Sequence, residues 1–431
     1  MHGLRMRRAG LACASAALLG LGTGCSDNAG LSHDLIAAPA DNVTELTVDS
    51  GLPNLAYYNG IFATVTVCVP DTSDCQSVDH VLVDTGSAGL RLLGAALTIS
   101  LPSVTDDNGV ALVECTQFVS SFIWGSLRSA DLRIAGEQVN HLTVQVIDGP
   151  VDATTPAEGP PYPVPSDCTG YDASNADGLR ANGIIGISNF LQDCGQHCSE
   201  SPGLSSSNPG LYYACSSART GDCQVAAVPL AKQLANPVAL FSQDNNGTII
   251  ELPAVPPDGA ASIAGALVFG IGTRDNNALD QETVIQLDSR GTFQTQYPTN
   301  GRPAFSFVDS GSNGIFFLSS YMANIPTCSG LLHDFYCPTS TLNLTAKNQD
   351  TKGLVSVNVN FSIANAINLL GARTNFVFDD LGGPSSAPSS GGLGASVAYF
   401  DWGLPFFFGR NVFTAIEGQT TPAGTGPFVA F

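Results

Sequence analysis

Residues 81–93 have the sequence VLVDTGSAGLRLL, in which an apolar run ends at Asp84 and a Thr-Gly-Ser turn follows. Residues 305–317, FSFVDSGSNGIFF, repeat this arrangement around Asp309. Each stretch predicts a β-strand that ends in a tight turn and carries an aspartate at its tip. The glycine of each turn allows close approach of a second backbone, and the hydroxyl side chains can hydrogen-bond to the carboxylates.

The two copies are more informative together than either is alone. A single Asp-Thr/Ser-Gly-Ser sequence has the ordinary composition of a β-turn. Here each copy is followed by two apolar residues and a glycine, with Gly186 102 residues after Asp84 and Gly409 100 residues after Asp309. A repeat of this period, with one aspartate in each half, is typical of two related lobes that face each other across a cleft.

The motifs, their order and their spacing resemble those of the pepsin-like aspartic peptidases, of which this chain would be a bacterial member. The likeness covers roughly residues 55–431 with insertions, and GALVFGI (residues 265–271) is similar to the strand that opens the family's second lobe. The resemblance implies an all-β, two-lobed fold with six-stranded, barrel-like lobes that face each other across a cleft. The many short β-rich runs and Gly-rich turns also indicate an all-β protein.

The resemblance implies that Asp84 and Asp309 form a catalytic pair. Two carboxyl groups in contact cannot both ionise easily, so they share one proton and titrate as a pair. The ionised member accepts a proton from a water molecule while the neutral member donates to the scissile carbonyl, without a covalent intermediate. The expected reaction is endopeptidase cleavage of a peptide or protein substrate without a cofactor, and the sequence does not assign the base to either aspartate.

The family pattern also implies supporting roles for residues around the aspartates. The turns would be cross-linked by Thr85 and Ser310 and packed closely at Gly86 and Gly311. Ser87 and Ser312 would donate hydrogen bonds to the outer carboxylate oxygens. Gly186 and Gly409 would be the glycines of the apolar loops.

Members of the family close a β-hairpin over the cleft, with a tyrosine near its tip. Residues 117–136 have the corresponding place and length, and Phe118 stands where that tyrosine would be. Phe118 lacks the hydroxyl, which leaves the indole N–H of Trp124 as the alternative donor. Ordinary hairpin packing is the other explanation for both side chains.

The first 24 residues have the pattern of an export signal, with three arginines, an uncharged run over residues 9–21 and a small-residue segment before Cys25. Cys25 resembles the lipidated cysteine of bacterial lipoproteins, although Leu21 lies one residue further from it than the pattern requires. Secretion without lipid is the alternative. We expect a cell-envelope protein (lipid-anchored, periplasmic or outer-membrane) or a secreted one. Its membrane contact would be through the lipid alone, because the apolar run is shorter than the ~20 residues of a membrane span.

The formal net charge is −21 at pH 7, and it becomes −24 without the three arginines of the signal. Phosphate backbones and anionic membrane surfaces would be repelled, which excludes nucleic acid as an expected partner. The expected organisation is a tether over residues 25–50, a first lobe over residues 51–240 that carries Asp84, and a second lobe over residues 241–431 that carries Asp309. We expect a monomer.

Ten cysteines remain after Cys13 and Cys25, and an even number in an exported chain favours disulfides. A metal site could be imagined at CGQHC (residues 194–198), but disulfides are favoured there too, and no metal is expected. The pairing of Cys115, Cys168, Cys194 and Cys198 stays open. Short spacings favour three pairs: Cys68–Cys75, Cys215–Cys223 and Cys328–Cys337.

Two functions compete on this fold. The first is an aspartic endopeptidase, and the second is a non-catalytic envelope lipoprotein that binds a peptide or another surface polymer. Two facing carboxyl groups repel each other, and a fold kept for binding has no physical need for that cost. A purely structural envelope protein would leave the paired motifs unexplained. The doubled motif therefore favours catalysis.

Overall fold

The computed structural model describes residues 36–119, 121–147, 162–203, 206–216, 223–298, 300–385 and 399–431. The predicted signal, Cys25 and the first part of the predicted tether lie outside these residues. Strands dominate the described chain, whose helices are short. None of the helices described is both long and apolar enough to cross a membrane.

The first half of the chain is a succession of strands with short helical turns between them. The strands are β1 (Val43–Asp49), β2 (Gly60–Cys68), β3 (Cys75–Asp84), β4 (Ala88–Leu93), β5 (Ala111–Gln117), β6 (Ser121–Ile134), β7 (Glu137–Ile147), β8 (Tyr171–Asp172), β9 (Gly183–Ile187), β10 (Tyr212–Cys215) and β11 (Cys223–Val225). The helices are α1 (Ala176–Leu179), α2 (Gln196–Ser199) and the 3-10 turns Gly94–Ala96, Leu230–Lys232 and Pro237–Leu240.

The second half has the same character. Its strands are β12 (Gly247–Leu252), β13 (Ile263–Phe269), β14 (Val284–Gln286), β15 (Phe293–Gln296), β16 (Pro303–Asp309), β17 (Ile315–Phe317), β18 (Leu342–Gln349), β19 (Ser356–Ile363), β20 (Gly382–Gly383), β21 (Tyr399–Gly403), β22 (Arg410–Ala415), β23 (Thr420–Thr421), β24 (Gly424–Thr425) and β25 (Phe428–Ala430). Its helices are α3 (Ser320–Ala323), α4 (Ala366–Gly371) and the 3-10 turns Asp275–Asn277, Gly330–Leu332 and Leu404–Phe406.

Six strands of the first lobe close into a barrel, in the order β2-β3-β9-β4-β7-β6 and back to β2. Strand β9, GIIGI, is buried at every position because it lies between β3, to which it is parallel, and β4, to which it is antiparallel. Val81, Val83 and Leu90 are fully buried within this lobe. The barrel confirms the predicted architecture and places Asp84 at the carboxyl end of β3.

The second lobe repeats the central arrangement of the first. Strand β21 is parallel to β16 and antiparallel to β17, as β9 is to β3 and β4. Among the described residues, the sheet runs in the open order β19-β18-β15-β16-β21-β17-β20. One face of β21 buries Phe400 and Trp402, whose rings stack with centroids 4.4 Å apart. Asp309 lies at the carboxyl end of β16, in the position that corresponds to Asp84.

Strand β1 joins the two halves, because it pairs with β2 on one side and with β13 on the other. The sheet continues from β13 through β12, β22 and β25 to β14. Residues 43–49 were expected to belong to a tether, and that expectation is wrong. Leu46 and Val48 alternate with more exposed residues, so one side of the segment is buried and the segment forms a strand. The lobe boundary at residues 240 and 241 stays a prediction.

Five disulfides close loops in the described chain. The three predicted pairs, Cys68–Cys75, Cys215–Cys223 and Cys328–Cys337, are all present. The other two are Cys115–Cys168 and Cys194–Cys198, so both cysteines of the imagined metal site are covalently paired. Disulfides persist in oxidising compartments, and these five fit a protein exported from the cytoplasm.

Candidate active site

The fold brings Asp84 and Asp309 into contact, and their side chains are hydrogen-bonded. The turn glycines permit this approach. A Cβ on Gly86 would lie 2.9 Å from Asp309 Oδ1, and a Cβ on Gly311 would lie 2.7 Å from Asp84 Oδ1. Each glycine therefore abuts the carboxyl group of the opposite lobe, where a larger residue would force the two groups apart.

Each carboxyl group is oriented by its own turn in the same way. The Gly86 N–H donates to Asp84 Oδ1 at 2.7 Å, and the Ser87 hydroxyl donates to Asp84 Oδ2. In the second lobe the Gly311 N–H donates to Asp309 Oδ1 at 3.0 Å, and the Ser312 hydroxyl is 2.8 Å from Asp309 Oδ2. The Oδ1 atoms are thus the inner oxygens of the pair, and the Oδ2 atoms are the outer ones.

Thr85 and Ser310 cross-link the two turns reciprocally. The Thr85 N–H donates to Ser310 Oγ at 3.1 Å, and the Ser310 N–H donates to Thr85 Oγ1 at 2.9 Å. Each hydroxyl then donates across to the opposite strand, Thr85 to the Val308 carbonyl at 3.1 Å and Ser310 to the Val83 carbonyl at 2.7 Å. These four buried hydrogen bonds hold the two carboxyl groups at a set separation.

Burial of Asp309, reinforced by the neighbouring Asp84, raises the pKa of Asp309 to about 8. The hydrogen bonds from Ser312 and the Gly311 N–H oppose this shift but are smaller in effect. The pair therefore retains a proton at neutral pH. One neutral acid beside one carboxyl group is the arrangement that can donate and accept a proton in the same step.

The sequence matches the family described as "Protein of unknown function (DUF3443)" over residues 38–431. The chain belongs to this family. No curated protein sequence matches it. Among solved structures, it is similar to the crystal structure of an aspartic proteinase from Irpex lacteus, with a TM-score of 0.51 and 12% sequence identity. The match covers 90% of this chain and 96% of that one, and at this identity it shows the fold, which is the two-lobed pepsin-like fold.

The strand register places Gly186 where the sequence predicts it, but it replaces Gly409 by Gly403. Gly186 lies opposite Asp84 in the β3–β9 pair, and Gly403 lies opposite Asp309 in the β16–β21 pair. A Cβ on either glycine would meet the turn of its own lobe, at 2.7 Å from the carbonyl oxygen of Ser87 or Ser312. Gly409 instead lies in the bend before β22, so the assignment of Gly409 is wrong.

Strand β21 also carries an acid that the sequence analysis did not select. Asp401 is only 5% exposed, and its Oδ1 has no hydrogen-bond partner within the described structure. The Ser312 hydroxyl is a near neighbour of this carboxyl group. Burial, followed by the charge of Asp309, raises the pKa of Asp401 well above its usual range. The sequence analysis did not select Asp401 because it took Gly409 as the equivalent of Gly186. With Gly403 as that equivalent, Asp401 corresponds to Ile184 of the first lobe.

Strand β6 takes up most of residues 117–136, the segment expected to form the flap, and it pairs with β5, which ends just before Phe118. The Phe118 N–H donates to the Ser121 carbonyl at 2.7 Å, and its ring packs partly against the main core. Trp124 is not an available donor. It pairs with Cys115 inside the strands, it is buried, and its indole N–H donates to the Tyr162 carbonyl at 2.9 Å. The flap role of Trp124 is therefore contradicted, and that of Phe118 stays a prediction.

Tyr57 is a second residue near the pair that the motifs do not indicate. Burial, followed by the charges of Asp309 and Asp84, raises the pKa of the Tyr57 hydroxyl, and Arg180 opposes the shift. The ring packs edge-on against Phe62 with centroids 5.8 Å apart. Tyr57 thus presents a phenol within the electrostatic field of both aspartates, and it lies well before the first motif in the chain.

A buried ion cluster links the first turn to the hairpin. Arg91 is 1% exposed, and its Nη2 lies 3.0 Å from Glu114 Oε1 and 3.2 Å from Asp193 Oδ2. Its Nε donates to Thr116 Oγ1 at 3.0 Å. Arg91 follows the Asp84 turn in β4, whereas Glu114 and Thr116 belong to β5. The cluster therefore ties the hairpin to the strand that leaves the turn.

Proposed function

We propose that this protein is an aspartic endopeptidase that hydrolyses peptide bonds with a water molecule activated by Asp84 and Asp309. The observation that carries this proposal is the contact of two carboxyl groups, one from each lobe, each oriented by an equivalent set of hydrogen bonds. Their mutual repulsion destabilises the fold, and such a cost persists at sites where function uses it.

Asp309 is the general acid in this proposal, because its raised pKa keeps it protonated at neutral pH. Asp84 is the general base, oriented by the Gly86 N–H and the Ser87 hydroxyl. Asp84 accepts a proton from the attacking water, and Asp309 donates to the carbonyl oxygen of the substrate. The Thr85–Ser310 cross-link keeps the two groups at the separation that this concerted transfer needs.

The substrate in this proposal is an extended peptide segment that lies across the cleft between the lobes. The chain would be exported, either attached to the cell envelope through a lipid on Cys25 or secreted, and it would act as a monomer. With its large negative charge it would bind no nucleic acid.

The test is cleavage of a mixed peptide library by residues 26–431 between pH 3 and pH 8. Asp84→Asn and Asp309→Asn should each lower kcat/KM by at least about 10³-fold, because each removes one partner of the proton transfer. Pepstatin should block the wild-type reaction. Asp258→Asn, which changes an exposed aspartate remote in sequence from both motifs, is the matched control and should retain full activity.

Folding of each variant is checked by its unfolding temperature. A folded wild-type protein that cleaves nothing across this pH range would overturn the proposal. It would leave the binding of a peptide or another surface polymer as the function to test by pull-down.

A further inference from the structure

Asp401 lies on the same side of its sheet as Asp309. The β16–β21 register sets Phe307 opposite Asp401 and Asp309 opposite Gly403, and side chains two residues apart in a strand point to the same face. The flanking residues Phe400 and Trp402 point the other way, into the core. Asp401 therefore belongs to the face that carries the dyad, although it is almost fully buried.

The Ser312 hydroxyl has Asp309 and Asp401 as neighbours. It donates to Asp309 Oδ2 at 2.8 Å, and it lies close enough to Asp401 to affect the charge of that carboxyl group. A serine hydroxyl has one hydrogen to donate, so it cannot donate to two ionised carboxylates at once. For Ser312 to hydrogen-bond with both neighbouring carboxyl groups, one of the two must bring its own hydrogen to the contact.

Asp401 is the group better placed to hold that hydrogen. Its Oδ1 has no partner among the described residues, and an unpaired buried carboxylate oxygen is far more costly than an unpaired carbonyl oxygen of the neutral acid. The charged groups that act on it are Asp309 and Asp84, and both are acidic. From β17 it faces Phe316, and from β16 it faces Phe307.

We propose that Asp401 is a positioning residue for the dyad. As a neutral acid it donates its hydrogen to Ser312 Oγ, which directs the Ser312 hydroxyl onto Asp309 Oδ2. A hydrogen on Oδ2 would then point at the hydrogen of Ser312, so the proton of Asp309 stays on the inner oxygen, Oδ1, which faces Asp84. This inference rests on the proposed peptidase function and adds a third carboxyl group to its machinery.

Ionisation of Asp401 would reverse the chain of hydrogen bonds. The Ser312 hydroxyl would turn to the new carboxylate, and Asp309 would donate its proton from Oδ2 to Ser312. The proton would then lie on the side away from Asp84 and the substrate. Loss of one proton from Asp401 is thus a route to inactivity at alkaline pH that is separate from loss of the proton shared by the dyad.

The experiment compares Asp401→Asn with Asp401→Ile. The asparagine amide can still donate to Ser312 but cannot ionise, whereas isoleucine copies Ile184 at the equivalent position of the first lobe. We expect D401I to lower kcat about tenfold with little change in KM, because it removes the donor that sets the direction of the chain. We expect D401N to be more active than D401I: the logarithm of its kcat should recover at least about half of the decrease seen in D401I. The alkaline limb of its kcat/KM profile should stay in place or move to higher pH.

A double-mutant cycle tests the path through Ser312. If Asp401 acts through Ser312, D401I should cause no further loss in the Ser312→Ala background. An equal loss in both backgrounds would overturn the proposal. So would an alkaline limb that moves to lower pH by about one unit in D401N, because that shift would mean that Asp401 acts as a resident negative charge.

The protonation of Asp401 can also be tested without any activity. A carboxyl group held neutral in the folded state contributes stability at low pH that is lost as pH rises, and asparagine removes this dependence. As pH rises from 5 to 8, the Tm of D401N minus the Tm of the wild type should therefore increase by roughly 1–2 °C per pH unit. Parallel Tm profiles would overturn the proposal. An inactive wild type with diverging profiles would instead overturn the peptidase function and leave the neutral Asp401 in place.

Discussion

The turn at Asp84 and the turn at Asp309 make the same contacts close to the aspartates and different ones further away. In both, a glycine N–H and a serine hydroxyl hydrogen-bond to the carboxyl group, and Thr85 and Ser310 exchange equivalent hydrogen bonds. Seven residues beyond each aspartate the symmetry ends, because the first lobe has the buried cation of Arg91 and the second has Phe316.

The strands behind the turns differ in the same way. The residue opposite Arg91 is Ile184, whereas the residue opposite Phe316 is Asp401. The first lobe thus neutralises part of its buried acidic charge with a guanidinium, and the second lobe surrounds a buried acid with aromatic rings. Equivalent turns therefore place the two carboxyl groups, although the strands behind those turns carry unlike side chains.

The largest expected difference between the two aspartates is in how their substitution changes the pH dependence of the free energy of unfolding. Burial and Asp84 raise the pKa of Asp309 to about 8, so its stabilising contribution is complete below about pH 4 and lost as pH rises towards 8. Urea unfolding of the wild type should show a free energy that falls by up to about 1.4 kcal/mol per pH unit in this range. Asp309→Asn should remove the part of this slope that Asp309 contributes.

Asp84→Asn should remove only part of the slope, because burial is the larger cause of the Asp309 shift and remains in that variant. Asp401 should contribute a slope of the same sign in both variants, since its pKa is also raised by burial. A slope reduced more by D84N than by D309N would contradict the assignment of the proton to the second lobe.

The next largest effect should come from Arg91→Leu. Removal of the guanidinium leaves Glu114 and Asp193 buried without a cation, which should destabilise the fold by about 3–5 kcal/mol in urea unfolding at pH 7. Phe316→Leu, at the equivalent position of the second lobe, should cost only about 1 kcal/mol. The R91L deficit should shrink at acid pH, where both carboxyl groups can be protonated, and a deficit independent of pH would count against the charge explanation.

Alanine substitutions should show which glycine of the second lobe corresponds to Gly186. A Cβ on Gly403 would overlap the Gly314 carbonyl oxygen and lie 2.7 Å from that of Ser312, so Gly403→Ala should cost about 3 kcal/mol and reduce activity. Gly409 has φ of +69°, and a Cβ there would make only ordinary van der Waals contacts, with Ala254 Cβ at 3.5 Å. Gly409→Ala should cost only about 1 kcal/mol of backbone strain. Equal costs for the two variants would reopen the assignment.

The smallest difference is expected between the two halves of the cross-link. Ser310→Ala and Thr85→Val each remove one donated and one accepted hydrogen bond in a buried setting, which should cost about 1–3 kcal/mol. Because the contacts are reciprocal, the two free energies of unfolding should agree within about 1 kcal/mol, and the double variant should cost less than their sum. Strongly unequal costs for the two variants would show that the two turns are alike in geometry but not in their contribution to stability.

Local patterns accounted for much of the fold and for the centre of the site. The turn chemistry of both motifs, the β-rich runs and the three short-range disulfides each involve residues close in sequence, and each was predicted correctly. The errors arose where partners are distant. Gly409 fits the apolar-apolar-Gly pattern as well as any residue, but hydrogen bonding between β16 and β21 selects Gly403. Trp124 fits a hairpin, yet strand alternation turns its ring away towards Tyr162.

By itself, the sequence determined that two equivalent aspartate turns exist, because strand endings and turn residues are set by backbone preferences over a few positions. Only the tertiary structure decided which residues surround those turns. Asp401 comes close to Ser312, and Tyr57 comes within the electrostatic field of both aspartates, through strand pairings and packing between distant segments. The proton affinity of a buried carboxyl group depends on burial and on neighbouring charges, and both are properties of the assembled lobes rather than of any motif.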